Sequence, residues 1–256
     1  MLLCRFGPEG FFAAGERFEE MFVLYSDPLA VPPSQWSFGR RVDLAREALR
    51  APIEPGKIVG IGRSYREHAK ELDNPVPSEP VLFLKSPGSV VGPNAPIVLP
   101  PESARVEHEG EIAVVVRHRL CRASALDAAR AVLGVAAGND VTARDLQRRD
   151  PSFCRAKSFD TFCPLGPAIA VEPDLDALAV VTRVNGVERQ RGHVSEMIWG
   201  IVELLVYASR MMTLEPGDVV LTGTPAGVGP LADGDVVEVE VTGAGALRNP
   251  VEAWRQ

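Results

Sequence analysis

The chain has 256 residues, of which 46% are hydrophobic and 24% are charged, and it carries a formal net charge of −7. This length and composition predict a folded protein with a sizeable core, arranged as one main domain and a small appendage. The acidic balance argues against nucleic acid or an anionic membrane surface as a partner, and no apolar stretch reaches the roughly 20 residues that cross a bilayer.

The cysteines indicate the redox environment. Cys4, Cys121, Cys154 and Cys163 form no C-x-x-C pair and are too sparse for a disulfide scaffold. We therefore expect reduced thiols in a cytoplasmic protein that no membrane anchors.

The first fifty residues predict a small β-rich unit that ends in a short helix over residues 42–49. Pro52 and the Pro55-Gly56 pair then mark a boundary. We predict an N-terminal β-rich domain over residues 1–52 and the main domain over residues 53–256.

Two segments resemble each other in form, residues 54–62 and residues 215–223. Each starts with a Pro-Gly turn, predicted as type II, and continues as an apolar strand that ends at a glycine. Convergent turn chemistry and a true repeat both explain the likeness. In either case the two strands are expected to deliver their loops to one end of a sheet.

Helical patterns are few. They cover residues 64–72 (ended by Asn74-Pro75), 124–133, 142–149 (with Thr142 as the N-cap) and 195–212. The last pattern is apolar nearly all round, which predicts either core or a subunit interface. Alternation over residues 236–241, after an Asp233-Gly234 turn, predicts a strand. The fold class is therefore α+β, with β dominant.

Three carboxylates stand at predicted strand ends. Glu109 and Glu111 are two residues apart, so in a strand they share a face, and an apolar run follows them. Such carboxylates repel one another unless a cation lies between them. With Asp140 and Lys157 from two other segments they would form a divalent-metal site, although each residue alone is also typical of a solvated surface. His108 alternates to the opposite face and is expected to pack there, and Glu107 is expected to be exposed.

Six motifs, in order, resemble the fumarylacetoacetate hydrolase family. They lie at residues 62–72, 83–87, 108–112, 139–147, 157–167 and 221–229, within roughly residues 57–245. The first fifty residues do not contribute. The resemblance implies a mixed β-sandwich roll of the type found in the C-terminal domain of that family, with a small N-terminal domain beside it.

The resemblance also implies roles for individual residues. The metal ligands would be Glu109, Glu111 and Asp140, the catalytic residues His68, Glu71 and Lys157, and the substrate-binding residues Arg63, Tyr65, Arg144, Gln147 and Thr224. An all-carboxylate site favours Mg²⁺ or Mn²⁺, with Ca²⁺ able to replace them in crystals, over Zn²⁺. Glu71 would hold the His68 imidazole so that its other nitrogen takes a proton from water. The alternative is an exposed His–Glu pair that contributes little.

The glycine-rich segment 223–229 does not have the features of a phosphate-binding loop, because no Lys-Ser/Thr follows it. We expect its backbone amides and the Thr224 hydroxyl to close over a carboxylate. No G-x-S-x-G motif is present, which argues against a serine hydrolase. Of the remaining histidines, His118 is expected to be solvated and His193 to belong to a lid.

The family resemblance implies a metal-dependent enzyme that acts on short 2-oxo acids through an enolate held at the metal. We favour C–C bond hydrolysis of the acylpyruvate type, in aromatic or carboxylic acid catabolism. The alternatives are an isomerase or decarboxylase of unsaturated 2-oxo or 2-hydroxy dicarboxylates, similar to 2-hydroxyhepta-2,4-diene-1,7-dioate isomerase, and an oxaloacetate decarboxylase. A scaffold that binds small acids without turnover is the non-enzymatic alternative. The expected partners are the small substrate and a second copy of the chain in a homodimer.

Overall fold

The computed structural model describes residues 1–71 and 76–255. In chain order its strands are β1 Leu2–Phe6, β2 Phe11–Gly15, β3 Met21–Leu24, β4 Phe38–Val42, β5 Leu49–Arg50, β6 Ile58–Gly62, β7 Val81–Lys85, β8 Val90–Val91, β9 Ile97–Leu99, β10 Val106–His108, β11 Gly110–Val116, β12 Val132–Asn139, β13 Thr142–Ala143, β14 Cys163–Val171, β15 Ala179–Val184, β16 Val187–His193, β17 Val219–Leu221, β18 Gly229–Pro230, β19 Val236–Val241 and β20 Gly245–Ala253. Its α-helices are α1 Arg66–Glu71, α2 Ala125–Arg130, α3 Arg144–Gln147, α4 Cys154–Lys157 and α5 Ile201–Met211. Among these helices, none is both long enough and apolar enough to cross a membrane. The fold is α+β with strands dominant, as predicted.

Two large sheets pack face to face. The larger one has the order β4-β3-β2-β1-β14-β12-β11-β17-β6-β7, with β5 on β1 and β8 on β14. The smaller one has the order β16-β15-β19-β20-β9, and β13-β10-β18 form a third, short sheet. Strands β11, β12 and β14 of the larger sheet contact β15, β19 and β20 of the smaller one. This arrangement is the mixed sandwich that was expected.

Strand β11 is buried on both faces, as its apolar run predicted. Ile112 and Val114 face the core between the two large sheets. Ala113 and Val115 face the opposite core, which Leu3 of the N-terminal strand helps to form. Each fully buried valine or isoleucine contributes about 1.5–3 kcal/mol, so the strand that carries the carboxylates is rigidly held.

The N-terminal strands extend the larger sheet, because β1 pairs antiparallel with β14 at Leu2–Ala170 and Leu3–Ile169. The helix predicted over residues 42–49 is wrong. Asp43 accepts the Ala45 N–H and caps a single 3-10 turn, and β5 then pairs with β1. Long-range strand pairing outweighs the weak local preference for a helix here. The domain boundary at residue 52 stays a prediction.

The two similar segments form neighbouring strands. β17 runs parallel to β6 with Val219 opposite Ile58 and Leu221 opposite Gly60, so both deliver their following loops to one end of the sheet, as predicted. Gly217 has φ +87°, which suits a type II turn. Gly56 does not have a positive φ, so the two turns differ.

The helices are shorter than predicted. Ser124 caps α2, which ends before Val132 enters β12. Thr142 does not cap α3: its hydroxyl donates to the Asp140 carbonyl, and the residue lies in β13. The predicted end of α1, at Leu72 and the Asn74-Pro75 pair, lies outside the described residues.

The longest helix starts at Ile201 rather than at residue 195. A 3-10 turn at Val194–Glu196 precedes it, and the His193 side chain accepts the Ser195 N–H to cap this turn. His193 therefore caps the local turn, and its expected place in a lid stays a prediction. His118 is exposed, as expected.

Candidate active site

A cavity of about 270 Å³ opens where the loops after β6 and β17 meet α1, α3 and α4. Its lining consists of Ile61, Gly62, Arg63, His68, Val81, Phe83, Glu109, Glu111, Asp140, Arg144, Gln147, Arg148, Phe153, Lys157 and Thr224. It therefore collects nine of the eleven residues predicted as site residues. Glu71 is one exception, since it contacts His68 but does not line the cavity. Tyr65 is the other exception, because it is buried in the core between the sheets.

The three predicted metal ligands come together at the bottom of this cavity. Glu109, Glu111 and Asp140 are all buried, and their ligand atoms lie within 4.8 Å of one another. The pairing of β11 with β12 sets this geometry, because Glu111 is opposite Gly138 and Gly110 is opposite Asn139. The Asp140 N–H also donates to the Glu109 carbonyl at 2.8 Å.

Three buried cations contact these carboxylates. Lys157 Nζ donates to Glu109 Oε2 at 2.8 Å and also to Asp140. Lys85 Nζ donates to Asp140 Oδ1 at 2.6 Å, and Arg144 binds Glu109. Lys85 was missed as a site residue, although it lies in one of the six motifs, because an isolated lysine at a strand end is usually exposed.

Glu107 is buried rather than exposed, which corrects the expectation for that residue. Arg144 Nε donates to Glu107 Oε2 at 2.7 Å, and Arg105 pairs with the same carboxylate. A charge-assisted pair of this kind offsets the cost of burying the carboxylate. Arg144 is therefore engaged with Glu107 and Glu109, and with Gln147 Oε1 at 2.6 Å.

The neighbours of each group determine its pKa. Burial alone would raise the pKa of Glu109, but Lys157 and Arg144 lower it far below its usual range. Burial, Asp140 and Glu109 all raise the pKa of Glu111 well above the usual range. Although burial opposes it, Asp140 and Glu109 raise the pKa of Lys157, which stays charged. Like-charge repulsion is thus concentrated on Glu111.

The residues present fit a divalent ion. Among the described residues, Gly223 alone donates a hydrogen bond to Glu111, whereas Glu109 and Asp140 each contact two cations. A buried carboxylate with so little compensation is a strong acceptor for a cation. The donor set consists of oxygens alone, which suits Mg²⁺, Mn²⁺ or Ca²⁺.

His68 and Glu71 form a pair that faces the cavity. His68 is buried, and its Nδ1 lies 3.3 Å from Glu71 Oε2. The Gly227 N–H donates to both oxygens of Glu71 at 3.0 and 3.1 Å. The alternative of a solvated pair does not describe His68, and its Nε2 is left for another partner.

The glycine-rich segment 223–229 closes over carboxylates of the protein itself. Its amides bind Glu111, through Gly223 N at 2.6 Å, and Glu71, through Gly227 N. The Thr224 hydroxyl donates to the Gly110 carbonyl at 2.9 Å. The loop therefore connects the carboxylate cluster with the His68–Glu71 pair.

The remaining predicted residues have distinct positions. Arg63 lines the cavity in a left-handed conformation with φ +59°. The Tyr65 hydroxyl is buried without a hydrogen-bond partner among the described residues, and burial raises its pKa together with Glu111 and Glu196. Arg148 and Phe153 also line the cavity and were not predicted.

The fold and this site define a class of proteins: strand-dominated sandwiches with a buried carboxylate cluster below a small polar cavity. The family model described as fumarylacetoacetate (FAA) hydrolase C-terminal matches residues 57–252. The chain belongs to this family, whose enzyme fold it has, and the resemblance of its motifs is confirmed.

Two solved structures and one relative show how similar the chain is to named proteins. A 5-carboxymethyl-2-hydroxymuconate delta-isomerase from Mycobacterium smegmatis is 41% identical, with a TM-score of 0.90 over 99% of this chain and 100% of that one. A 2-hydroxyhepta-2,4-diene-1,7-dioate isomerase from Mycobacterium marinum is 39% identical, with a TM-score of 0.89 over 100% of both chains. A mitochondrial oxaloacetate tautomerase of Bos taurus is 41% identical over 78% of this chain and 68% of its own length.

Proposed function

We propose that this protein is a divalent-metal-dependent enzyme that acts on short 2-oxo acids by way of an enolate. The observation that carries the proposal is the shared cavity, in which Glu109, Glu111 and Asp140 face the same space as His68. A scaffold that only binds acids would not need a buried imidazole held by a carboxylate beside the metal ligands.

The charge of the site favours an anionic substrate. Four buried carboxylates face three buried cations: Glu107, Glu109, Glu111 and Asp140 against Lys85, Arg144 and Lys157. With every group ionised, these buried groups leave one negative charge, which the half-exposed Arg105 beside Glu107 offsets, and a divalent ion would make the site positive. A substrate carboxylate would then reduce that positive charge, which is favourable in a buried cavity.

Mg²⁺ or Mn²⁺, bound by Glu109, Glu111 and Asp140, would act as a Lewis acid and stabilise the negative charge that develops on the 2-oxo group. Lys157 lies against the same carboxylates and is positioned to donate to a substrate oxygen. Gln147 and Arg63 line the cavity and are proposed to orient the substrate. Thr224 supports the loop through Gly110.

His68 is the proposed general base. Its Nδ1–H would donate to Glu71, which leaves Nε2 to take a proton from water or from carbon. When His68 takes the proton from water, the resulting hydroxide would attack the C4 carbonyl of an acylpyruvate. The C3–C4 bond would then break, and the enolate of pyruvate would be the leaving group. We favour this hydrolysis.

Isomerisation is the second candidate, because two similar structures are named isomerases and a relative is named an oxaloacetate tautomerase. Moving a proton between carbon and the 2-oxo oxygen passes through the same enolate. Loss of CO₂ from oxaloacetate gives that enolate as well. The same groups would therefore serve hydrolysis, isomerisation or decarboxylation.

The test is a substrate panel with and without metal. Acetylpyruvate hydrolysis, oxaloacetate decarboxylation and oxaloacetate tautomerisation are each followed by absorbance after EDTA treatment and after addition of Mg²⁺, Mn²⁺ or Zn²⁺. We expect EDTA to abolish turnover, and Mg²⁺ or Mn²⁺ to restore it better than Zn²⁺. Turnover no greater than a blank of metal alone for every substrate would refute the proposal and favour the binding scaffold.

A further inference from the structure

One buried polar side chain outside the cavity links the two halves of the site. Gln190 lies on β16, at the edge of the smaller sheet, and is 1% exposed although Glu188, Arg189 and Arg191 beside it are exposed. Its amide crosses to the larger sheet and binds both β11 and the loop 223–229. Gln190 and Gly192 are the buried positions of this strand, and an amide buried so completely needs hydrogen-bond partners for its polar atoms.

All four contacts of the amide are with groups that hold the site. Oε1 lies 3.0 Å from the Gly110 nitrogen and 3.0 Å from His108 Nδ1. Nε2 donates to Thr224 Oγ1 at 2.6 Å and to the Pro225 carbonyl at 2.8 Å. The Gly110 N–H can only donate and the Pro225 carbonyl can only accept, so the orientation of the amide is determined.

The same contacts determine the state of His108. Since Oε1 accepts, Nδ1 of His108 must carry a proton and donate. His108 therefore anchors the amide from the opposite face of the carboxylate strand, where it was expected to pack.

The groups bound by Gln190 lie directly beside the proposed ligands and the proposed base. Gly110 separates Glu109 from Glu111, and Gln190 and Thr224 together bind both its N–H and its carbonyl. The loop held at Thr224 and Pro225 provides Gly223 N to Glu111 and Gly227 N to Glu71. One amide thus sets the distance between the carboxylate cluster and the His68–Glu71 pair.

Strand β16 packs closely against the loop 223–229. A Cβ at Gly227 would lie 1.9 Å from the Arg189 carbonyl oxygen, and a Cβ at Gly192 would lie 2.7 Å from Pro225 Cβ. Both glycines allow the backbones to approach each other more closely than any side chain permits. The amide of Gln190 is therefore held in place by its own strand.

We propose that Gln190 is a positioning residue, which keeps the carboxylate strand and the loop 223–229 in register so that the metal ligands and His68 act on the same substrate. The catalytic part of this inference rests on the whole proposed function, whereas the part that concerns metal affinity rests only on its metal site and not on the reaction. Supporting groups of this kind are worth about 10–100-fold in metal affinity or activity when they are removed.

The first experiment compares Gln190→Met with Asn249→Leu. Both changes keep the approximate shape and remove a buried amide from the smaller sheet. The Asn249 side chain donates, within the described part of the chain, to the Gly92 and Ala95 carbonyls, which do not line the cavity. The measurements are the Tm, the Mn²⁺ Kd from electron paramagnetic resonance, and kcat and KM. We expect Tm to fall in both variants. Only Gln190→Met should weaken Mn²⁺ binding and lower kcat, each by about 10–100-fold.

A double-mutant cycle tests the path through the loop. If Gln190 acts through Thr224, the variant that combines Gln190→Met with Thr224→Val should lose little more kcat than Gln190→Met alone. The same cycle with Asn249→Leu should be additive. Full additivity with Gln190→Met would contradict action through Thr224.

The outcomes separate this inference from the proposed function. A Gln190→Met protein that loses only Tm, with Mn²⁺ Kd and kcat within about twofold of the unmodified protein, overturns the positioning role, since those losses would be smaller than the effect of a supporting group. Weaker Mn²⁺ binding in Gln190→Met, in a protein that turns over no 2-oxo acid, supports the positioning of the ligands and refutes the proposed function.

Discussion

At the scale of single residues, Glu109 and Glu111 flank one glycine and yet titrate in opposite directions. Lys157 and Arg144 lower the pKa of Glu109 against the effect of burial, whereas burial, Asp140 and Glu109 raise the pKa of Glu111. In the folded protein without metal, Glu109 is therefore stabilising as an anion and Glu111 is not. A bound cation would therefore gain most of its interaction free energy from Glu111, whose negative charge is the least compensated by protein groups.

We predict that Glu111→Gln stabilises the metal-free protein at neutral pH and removes most of its metal affinity. The raised pKa of Glu111 contributes stability that is fully present below the unfolded carboxyl value of about 4.3 and is lost as pH rises through the folded value. A glutamine side chain does not ionise, so the variant does not lose stability in this way as pH rises. Tm after EDTA treatment, followed from pH 4 to pH 9, should fall with pH more steeply in the unmodified protein than in the variant.

Glu109→Gln is the matched control. The lowered pKa of Glu109 contributes stability that is present above the unfolded value and lost as pH falls toward the folded value. Its substitution should therefore lower Tm at neutral pH, and the deficit should shrink in acid. A Tm decrease of the same size in both variants at neutral pH would contradict the assigned charges.

We also predict that His68 and Lys157 differ in the reactions they affect. Hydrolysis needs a base for water, so His68→Ala should lower acetylpyruvate hydrolysis by about 10²–10⁴-fold and should affect oxaloacetate decarboxylation less. Glu71→Gln should do the same more mildly, through a weaker hold on the imidazole. Lys157→Ala should reduce both reactions, because it acts on the shared enolate. The measurement is kcat/KM on each substrate, and equal losses on both in His68→Ala would favour the isomerase or decarboxylase candidate.

At the scale of elements, the loop 223–229 is the connection on which the site depends. It binds Glu111 at one end and Glu71 at the other, and it packs directly against β16. Gly227 makes this possible, since it has φ +103° and a Cβ there would lie 1.9 Å from the Arg189 carbonyl oxygen. The loop thus transmits the position of the smaller sheet to the site.

We predict that Gly227→Ala displaces this loop and lowers kcat, whereas Gly234→Ala does not. Gly234 also has a positive φ, +87°, but no atom lies within 4 Å of a Cβ there. Both alanines carry a backbone penalty of about 1–2 kcal/mol, and only the one at 227 also clashes. Urea unfolding and kcat of both variants test this: an unchanged kcat in a folded Gly227→Ala protein would show that the loop does not position Glu71.

At the scale of the whole molecule, α5 has two different faces. Ile201, Leu204, Leu205 and Ala208 are buried against the core. The opposite face carries partly exposed apolar residues, and Trp199, Val202, Val206 and Tyr207 line a groove there. Because an exposed apolar groove of this kind is typical of an interaction surface, the predicted homodimer would use it.

The prediction is that light scattering gives the mass of a dimer at micromolar concentration, and that Val206→Asp gives a monomer with an unchanged fold. Val206 is suited to this test because it is only partly buried in the single chain. Val187→Asp, at a position that is 54% exposed on β16, introduces the same charge elsewhere and should leave the mass unchanged. A monomeric unmodified protein would refute the homodimer, and α5 would then be an ordinary core helix.

The sequence by itself determined the family, the dominance of strands and the three carboxylates with Lys157. These features are local: spacing of two along a strand, an apolar run behind it, and motifs whose residue types are specific. The common direction of β6 and β17 was likewise readable, because a Pro-Gly turn followed by an apolar strand is a short-range pattern, whereas their direct pairing appears only in the structure.

Only the tertiary structure decided which polar residues are buried together. Glu107 was expected to be exposed and Lys85 was not noticed, because the partners that make their burial tolerable, Arg144 and Asp140, are far away in sequence. The 42–49 segment became a turn and a strand for the same reason, since β1 offered it hydrogen bonds. Gln190, on a strand whose neighbouring side chains are exposed, shows most clearly what a sequence cannot predict. A sequence pattern indicates which side chains share a face of a strand, but the packing of the two sheets determines which groups each side chain contacts.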